Sequence, residues 1–188
     1  MQSETGDNQT STIEKRRRLF FAWWPSEETQ TVLHQIGKAQ AQGHNVRLTQ
    51  RDKIHLTLAF LGSVDEAFAD CARQAAADVH WQPFSLVFDR VGWFPRARVM
   101  WAGCSLPSTQ LNDLVQQLNE RLITCGYQPE QRRFQAHLTL ARKINQGPKE
   151  TEIPALECRF DRFALVESVL DADGAHYEIL DQFNPVSI

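Results

Sequence analysis

The chain has 188 residues, 42% hydrophobic content and a formal net charge of −3. That is enough apolar material for one well-buried domain or two small lobes, and the overall sign does not suit a general nucleic-acid coat protein. No apolar run approaches the roughly 20 residues that span a bilayer. Segment 1–15 is polar and holds no signal-peptide core, which predicts a disordered tail ahead of one domain over 16–188.

In chain order, Arg18–Trp24 is an apolar, β-rich run, and Pro25-Ser26 then opens a helix with a stripe of Val32, Ile36 and Ala39. It should end near Gln42-Gly43, where glycine permits a left-handed cap. His55–Leu58 reads as a strand, Asp65–Ala77 as an alanine-rich helix and Phe84–Val91 as a strand. Val99–Gly103 is a strand, followed by a helix from Pro107-Ser108 with the stripe Leu111, Leu114, Val115, Leu118 and Leu122, ending near Cys125-Gly126. His137–Leu140 is a strand, and Arg159–Leu170 and His176–Phe183 are strands around an Asp171–Gly174 hairpin turn. Short turns between strand pairs favour an α+β fold with antiparallel sheets over a doubly wound parallel one. Cys71, Cys104, Cys125 and Cys158 lack metal or redox spacing and have apolar neighbours, so they read as reduced, half-buried thiols of a cytoplasmic protein.

The chain repeats itself. His-Leu-Thr-Leu-Ala occurs at 55–59 and again at 137–141, an offset of 82, and the same offset carries Pro25-Ser26 onto Pro107-Ser108. The two copies, about 17–61 and 98–143, predict two lobes related by an approximate two-fold axis, with helices outside and a cleft between. On a strand alternate residues share a face, so Leu56, Leu58, Leu138 and Leu140 point to the core, while His55, Thr57, His137 and Thr139 point the other way. A lone histidine on a half-buried strand is ordinarily structural. Two identical copies at matched positions reverse that judgement, because packing has no reason to keep the polar pair.

Two opposed imidazoles can cleave a phosphodiester: one takes a proton from water and the other gives one to the leaving oxygen. Thr57 and Thr139 can hold the non-bridging oxygens, with Arg142 as a cationic supplement. Within ten residues of the two histidines lie seven basic and three acidic residues, a local field suited to an anion. Phe60 and Arg142 occupy matched repeat positions, and strict alternation turns both toward the core unless the strands bulge. Phe60 is thus a packing residue or a base-stacking one, and Trp93, flanked by Gly92 and Pro95, is a second stacking candidate. His34, His44, His80 and His176 lie outside any motif, with His44 in a loop after Gly43.

The paired motifs resemble those of the 2H phosphoesterases, in the RNA 2′,3′-cyclic phosphodiesterase (2′-5′ RNA ligase) branch. The resemblance runs from about Arg17 to Phe183 and includes RLFFAWWPSE, HLTLAFLG, GWFPRARVMWAG and RRFQAHLTLAR. It implies a two-lobed α+β fold without metal or cofactor, and hydrolysis of a terminal cyclic phosphate to a 2′-phosphomonoester, with reversible 2′-5′ ligation beside it. It also implies His55 as proton donor, His137 as proton acceptor and Arg142 as the site arginine. This chain departs from the pattern in having Gln135-Ala136 before the second histidine and an acidic hairpin at 171–176.

The expected partners are RNA ends or small cyclic-phosphate nucleotides, bound by a monomer away from any membrane. Competing readings are a phosphodiesterase for another cyclic nucleotide or a 2′-5′ oligonucleotide, a non-catalytic RNA-end-binding module, and a metallohydrolase. The last is poorly served, since no carboxylate sits at ligand spacing in either motif.

Overall fold

A computed structural model of the chain describes residues 16–43, 45–171 and 174–185. The expected tail at 1–15, His44 and the centre of the Asp171–Gly174 turn lie outside them. The elements are β1 (Arg17–Trp23), α1 (Glu27–Gln40), β2 (Arg47–Leu48), a short 3₁₀ turn (Arg51–Lys53), β3 (Leu56–Val64), α2 (Glu66–Ala77), β4 (Phe84–Phe94), β5 (Val99–Gly103), α3 (Thr109–Ile123), β6 (His137–Arg142), β7 (Thr151–Phe160), β8 (Phe163–Asp171) and β9 (Gly174–Phe183).

The two Pro-Ser signals do open helices. Ser26 and Ser108 accept the N–H groups of Thr29 and Leu111 at 3.3 and 3.2 Å. The prolines stand one place outside the cap, not in the first turn. Gly43 and Gly126 follow α1 and α3 with φ of 80° and 89°, a conformation that glycine adopts without steric cost.

The stripe expected on α3 is the buried one in full. The stripe expected on α1 is not: Val32 is 38% exposed, Ala39 is exposed, and the buried face is Gln30, Leu33 and Gly37. Close approach decides this, because a Cβ on Gly37 would lie 3.2 Å from the Cβ of Leu140. The helix turns its smallest residue toward the sheet beside Leu33, and of the expected stripe only Ile36 packs against the core.

The strands form one antiparallel sheet in the order β7-β4-β5-β6-β3-β1-β8-β9, with β2 paired to β6. Each half holds one copy of the repeat's strand pair, β1–β3 or β5–β6, and two further long strands, with the short β2 added at β6. The two-fold α+β reading holds, and its two sheets prove to be halves of one, joined where Leu56 pairs with Leu138. The helices cross over: α1 of the first copy packs against β6, and α3 of the second against β3. Leu56, Leu58, Leu138 and Leu140 belong to the main core with the inward leucines of α1 and α3.

The expected strand at Arg159–Leu170 is two strands, broken at Asp161-Arg162, and the earlier one starts at Thr151. Its Pro154 is tolerated because β7 is an edge strand, where a missing N–H breaks no ladder. The cysteine expectation also needs correction. Cys71 and Cys125 are joined by a disulfide, although 54 residues apart in sequence, because α2 packs beside α3. Cys104 and Cys158 are free thiols, and burial pushes that of Cys104 up to about 12. Among the described residues no helix is long and apolar enough to cross a membrane.

Candidate active site

Both histidines are held alike. The Nδ1 atoms of His55 and His137 lie 2.8 and 2.9 Å from the carbonyl oxygens of Lys53 and Gln135, in each case two residues back. A carbonyl can only accept, so Nδ1 carries the proton and Nε2 is left for chemistry. With Leu56 opposite Leu138, antiparallel register sets Thr57 beside His137 and Thr139 beside His55. The His-x-Thr pairs therefore make one quartet on the face away from the core leucines.

Both motif strands bulge at the same point. Phe21 pairs with Ala59 and Ala22 with Thr57, which skips Leu58; Met100 pairs with Ala141 and Trp101 with Thr139, which skips Leu140. The extra residue reverses the alternation beyond it. Ala59 and Ala141 become buried, and Phe60 and Arg142 emerge exposed. Of the two arrangements open to Phe60, the structure has the bulged one, with the ring 45% exposed and the Arg18 guanidinium 4.8 Å from its centroid.

The rings around the two histidines differ. Phe20, Trp24 and Tyr177 box His55, with centroids 5.2, 5.1 and 5.2 Å away. His137 has Phe94, edge-on at 5.2 Å, and Phe94 packs against Trp101 at 5.3 Å. Burial is the main cause that depresses His55 to about 4, and the nearby charges of Arg142 and His137 add to it. His137 is also held below the ordinary histidine value, by burial first and by Arg142. One guanidinium thus acts on both imidazoles.

A cavity of about 770 Å³ opens on this face, lined by Thr57, Phe60, Phe94, His137, Thr139 and Arg142 among others. His55 is not in its wall; it stands two residues before Thr57, inside the aromatic box. Trp93 is not in the wall either. It is half-buried on the opposite side of β4, against Gly147, and its neighbour Phe94 takes the place expected of it. Phe94, Trp24 and Tyr177 were not singled out by sequence reading, since none falls in either motif. The phase of β4 against β5 is the signal that selects Phe94. His34, His80 and His176 do not line the cavity. Among the described residues no group of three or more His, Cys, Asp or Glu side chains comes together as a metal-binding set.

A hydroxyl-imidazole quartet with one shared arginine at the edge of a cleft is the arrangement of a class, the paired-histidine phosphoesterases. Comparison with known proteins makes it particular. The model of the 2′-5′ RNA ligase superfamily matches residues 25–172, and the chain belongs to that superfamily. It is 28% identical over 176 residues to an RNA 2′,3′-cyclic phosphodiesterase of Archaeoglobus fulgidus, covering 88% of this chain and 99% of the relative. It is 30% identical over 132 residues to the Escherichia coli protein of that name, covering 70% and 74%. The structure of E. coli LigT with 3′-AMP superposes with a TM-score of 0.84 at 25% identity, covering 92% of this chain and 100% of LigT.

Proposed function

We propose that the protein hydrolyses terminal 2′,3′-cyclic phosphates of RNA to 2′-phosphomonoesters, with His55 as acid and His137 as base. The observation that carries this is the matched anchoring of both Nδ1 atoms, which leaves two Nε2 atoms for proton transfer beside one arginine. The names of the A. fulgidus and E. coli relatives point to the same reaction.

In this mechanism water attacks phosphorus, and His137 Nε2 takes its proton. The bond from phosphorus to the 3′-oxygen breaks as His55 Nε2–H protonates that oxygen. The product carries a 2′-phosphate and a free 3′-hydroxyl, and proton exchange with solvent restores both rings. Thr57 and Thr139 donate their hydroxyls to the non-bridging oxygens, and the Arg142 charge balances what develops there. With a 5′-hydroxyl in place of water, the same groups give ligation: His137 takes the proton of that hydroxyl as it attacks the cyclic phosphate, the P–O3′ bond breaks with protonation by His55, and a 2′-5′ phosphodiester and a free 3′-hydroxyl result. Phe60 offers the terminal base the ring face that Arg18 leaves open, a stack worth about 1–3 kcal/mol.

The test is product analysis on a dinucleotide ending in a 2′,3′-cyclic phosphate, with chelator in excess. The expected product is the 2′-phosphate, at a rate that chelation does not change. A 3′-phosphate product, or turnover that EDTA abolishes and zinc or manganese restores, overturns the mechanism.

A further inference from the structure

We infer that the cleft holds a second, upstream phosphate of an RNA 3′ end on Arg132 and Arg133, with Arg96 facing them, so that the fitted substrate is an oligonucleotide and not a mononucleotide. This rests on the cyclic-phosphate reading of the histidine site and extends it along the chain being cut.

The placement follows from the strand register. From the Leu56–Leu138 pair, β3 runs forward through Thr57 to Phe60 while the chain before His137 runs back through Gln135 and Phe134 to Arg133 and Arg132. In an antiparallel arrangement these two stretches leave the histidines in the same direction. Both line the same cavity, and the turn after β4 closes it with Pro95, Arg96 and Ala97. At about 3.3 Å per extended residue, Arg133 and Arg132 stand at most roughly 13–17 Å along the chain from His137. They share the cavity wall with Phe60, on the side of the quartet where the neighbouring nucleotide must pass if the terminal base stacks on that ring.

Charge supports the same assignment. Arg17 is matched to Glu66 and Glu167, Arg73 to Glu66, Asp70 and Asp181, Arg90 to Glu150 and Glu152, and Arg162 to Asp161. Of the described arginines without such a partner, Arg96, Arg132, Arg133 and Arg142 share one cavity. Arg96, Arg132 and Arg133 are exposed, and among the described residues none has a carboxylate within ion-pair distance. Glu130 lines the same cavity and pairs with none of them. Three unpaired guanidiniums around one cavity repel one another, and a bound anion removes that cost with bidentate hydrogen bonds. The quartet and Arg142 account for the scissile phosphate and leave these three for another. The cavity is also large, about 770 Å³, toward the upper part of the roughly 300–1,000 Å³ range of small-molecule sites.

The experiment compares kcat/KM for three substrates sharing one terminal nucleoside 2′,3′-cyclic phosphate: the mononucleotide, the dinucleotide, and the dinucleotide with an uncharged methylphosphonate linkage. The expected order puts the dinucleotide about tenfold or more above the mononucleotide, an advantage of about 1.4 kcal/mol. The methylphosphonate should lose most of that advantage, and so should the Arg132→Ala/Arg133→Ala variant acting on the natural dinucleotide. Equal turnover of all three substrates, or a methylphosphonate as good as the phosphate, overturns the second-phosphate site while leaving the histidine chemistry standing. Because that comparison uses the unaltered protein, it does not depend on the variant folding. If no substrate is opened, the histidine reading fails, and this one fails with it.

Discussion

Leu56 lies opposite Leu138, both fully buried, and among the described residues this is the one cross-strand pair that joins β3 to β6. It fixes the spacing of the two imidazoles, because His55 and His137 are the residues immediately before the two leucines. Leu138→Ala is expected to lower unfolding free energy by about 2–5 kcal/mol, the usual cost of a Leu-to-Ala cavity. It should also lower kcat, since the halves lose the contact that holds both rings in place. Urea melts and steady-state kinetics check this. A cost below about 1 kcal/mol would show that the pair does not bind the halves together.

Burial of a neutral ring makes stability depend on pH. His55 is depressed to about 4 in the fold, against an ordinary value of 6.5. Above 6.5 neither the folded nor the unfolded ring carries a proton, and the contribution is complete. As pH falls from 6.5 to 4 the unfolded chain takes up the proton and the fold does not, so stability drops, by on the order of 3 kcal/mol. Below 4 this contribution is flat. His55→Gln should remove that component, so the difference between parent and variant melts should slope between pH 6.5 and 4. A constant difference across that window contradicts a buried, neutral His55.

Much of this site was legible in the sequence because the repeat is literal: the same five residues twice, with the leucines and the His/Thr pairs in opposite phase. The position of Phe60 was legible only as an either-or, since a bulge adds one residue without changing the pattern. Flanking Gly92 and Pro95 single out Trp93 as a stacking candidate, but the phase of β4 against β5, which flanking residues do not reveal, turns Phe94 toward the cavity. Gly37 was invisible to a search for apolar stripes, because what it supplies to the contact with Leu140 is the lack of a side chain. The link between Cys71 and Cys125 depends on α2 packing against α3, a tertiary contact that spacing does not encode.

That link gives a prediction of its own. Closing a loop over a separation of 54 residues stabilises by about 4 kcal/mol on the chain-entropy account. Cys71→Ser should therefore lower the Tm by roughly 8–16 °C, at about 2–4 °C per kcal/mol for a domain of this size. Alkylation of the unfolded, unreduced protein should tag two thiols, Cys104 and Cys158, and four after reduction. Four tagged thiols before reduction would remove the premise.

The two rings also predict how activity responds to pH, and here the depressed values have a consequence that the motif alone does not suggest. The base, His137, must be neutral and the acid, His55, must be protonated, but a ring at about 4 carries its proton in only about one molecule in a thousand at pH 7. A bound phosphate brings negative charge between the rings and raises the proton affinity of both. The profile of kcat/KM, which reports the free enzyme, should therefore be bell-shaped with its optimum below pH 6.5, and that of kcat, which reports the complex, should lie at higher pH. His55→Ala and His137→Ala should each cost about 10²–10⁴ in kcat on a cyclic-phosphate end. A nitrophenyl ester separates the roles, because its leaving group departs without a proton. It should restore much of the rate lost by His55→Ala and little of that lost by His137→Ala. Rescue of His137→Ala instead would exchange the two roles. Near-parent activity of both variants on cyclic-phosphate RNA ends would leave the site as one that binds an RNA end without cutting it.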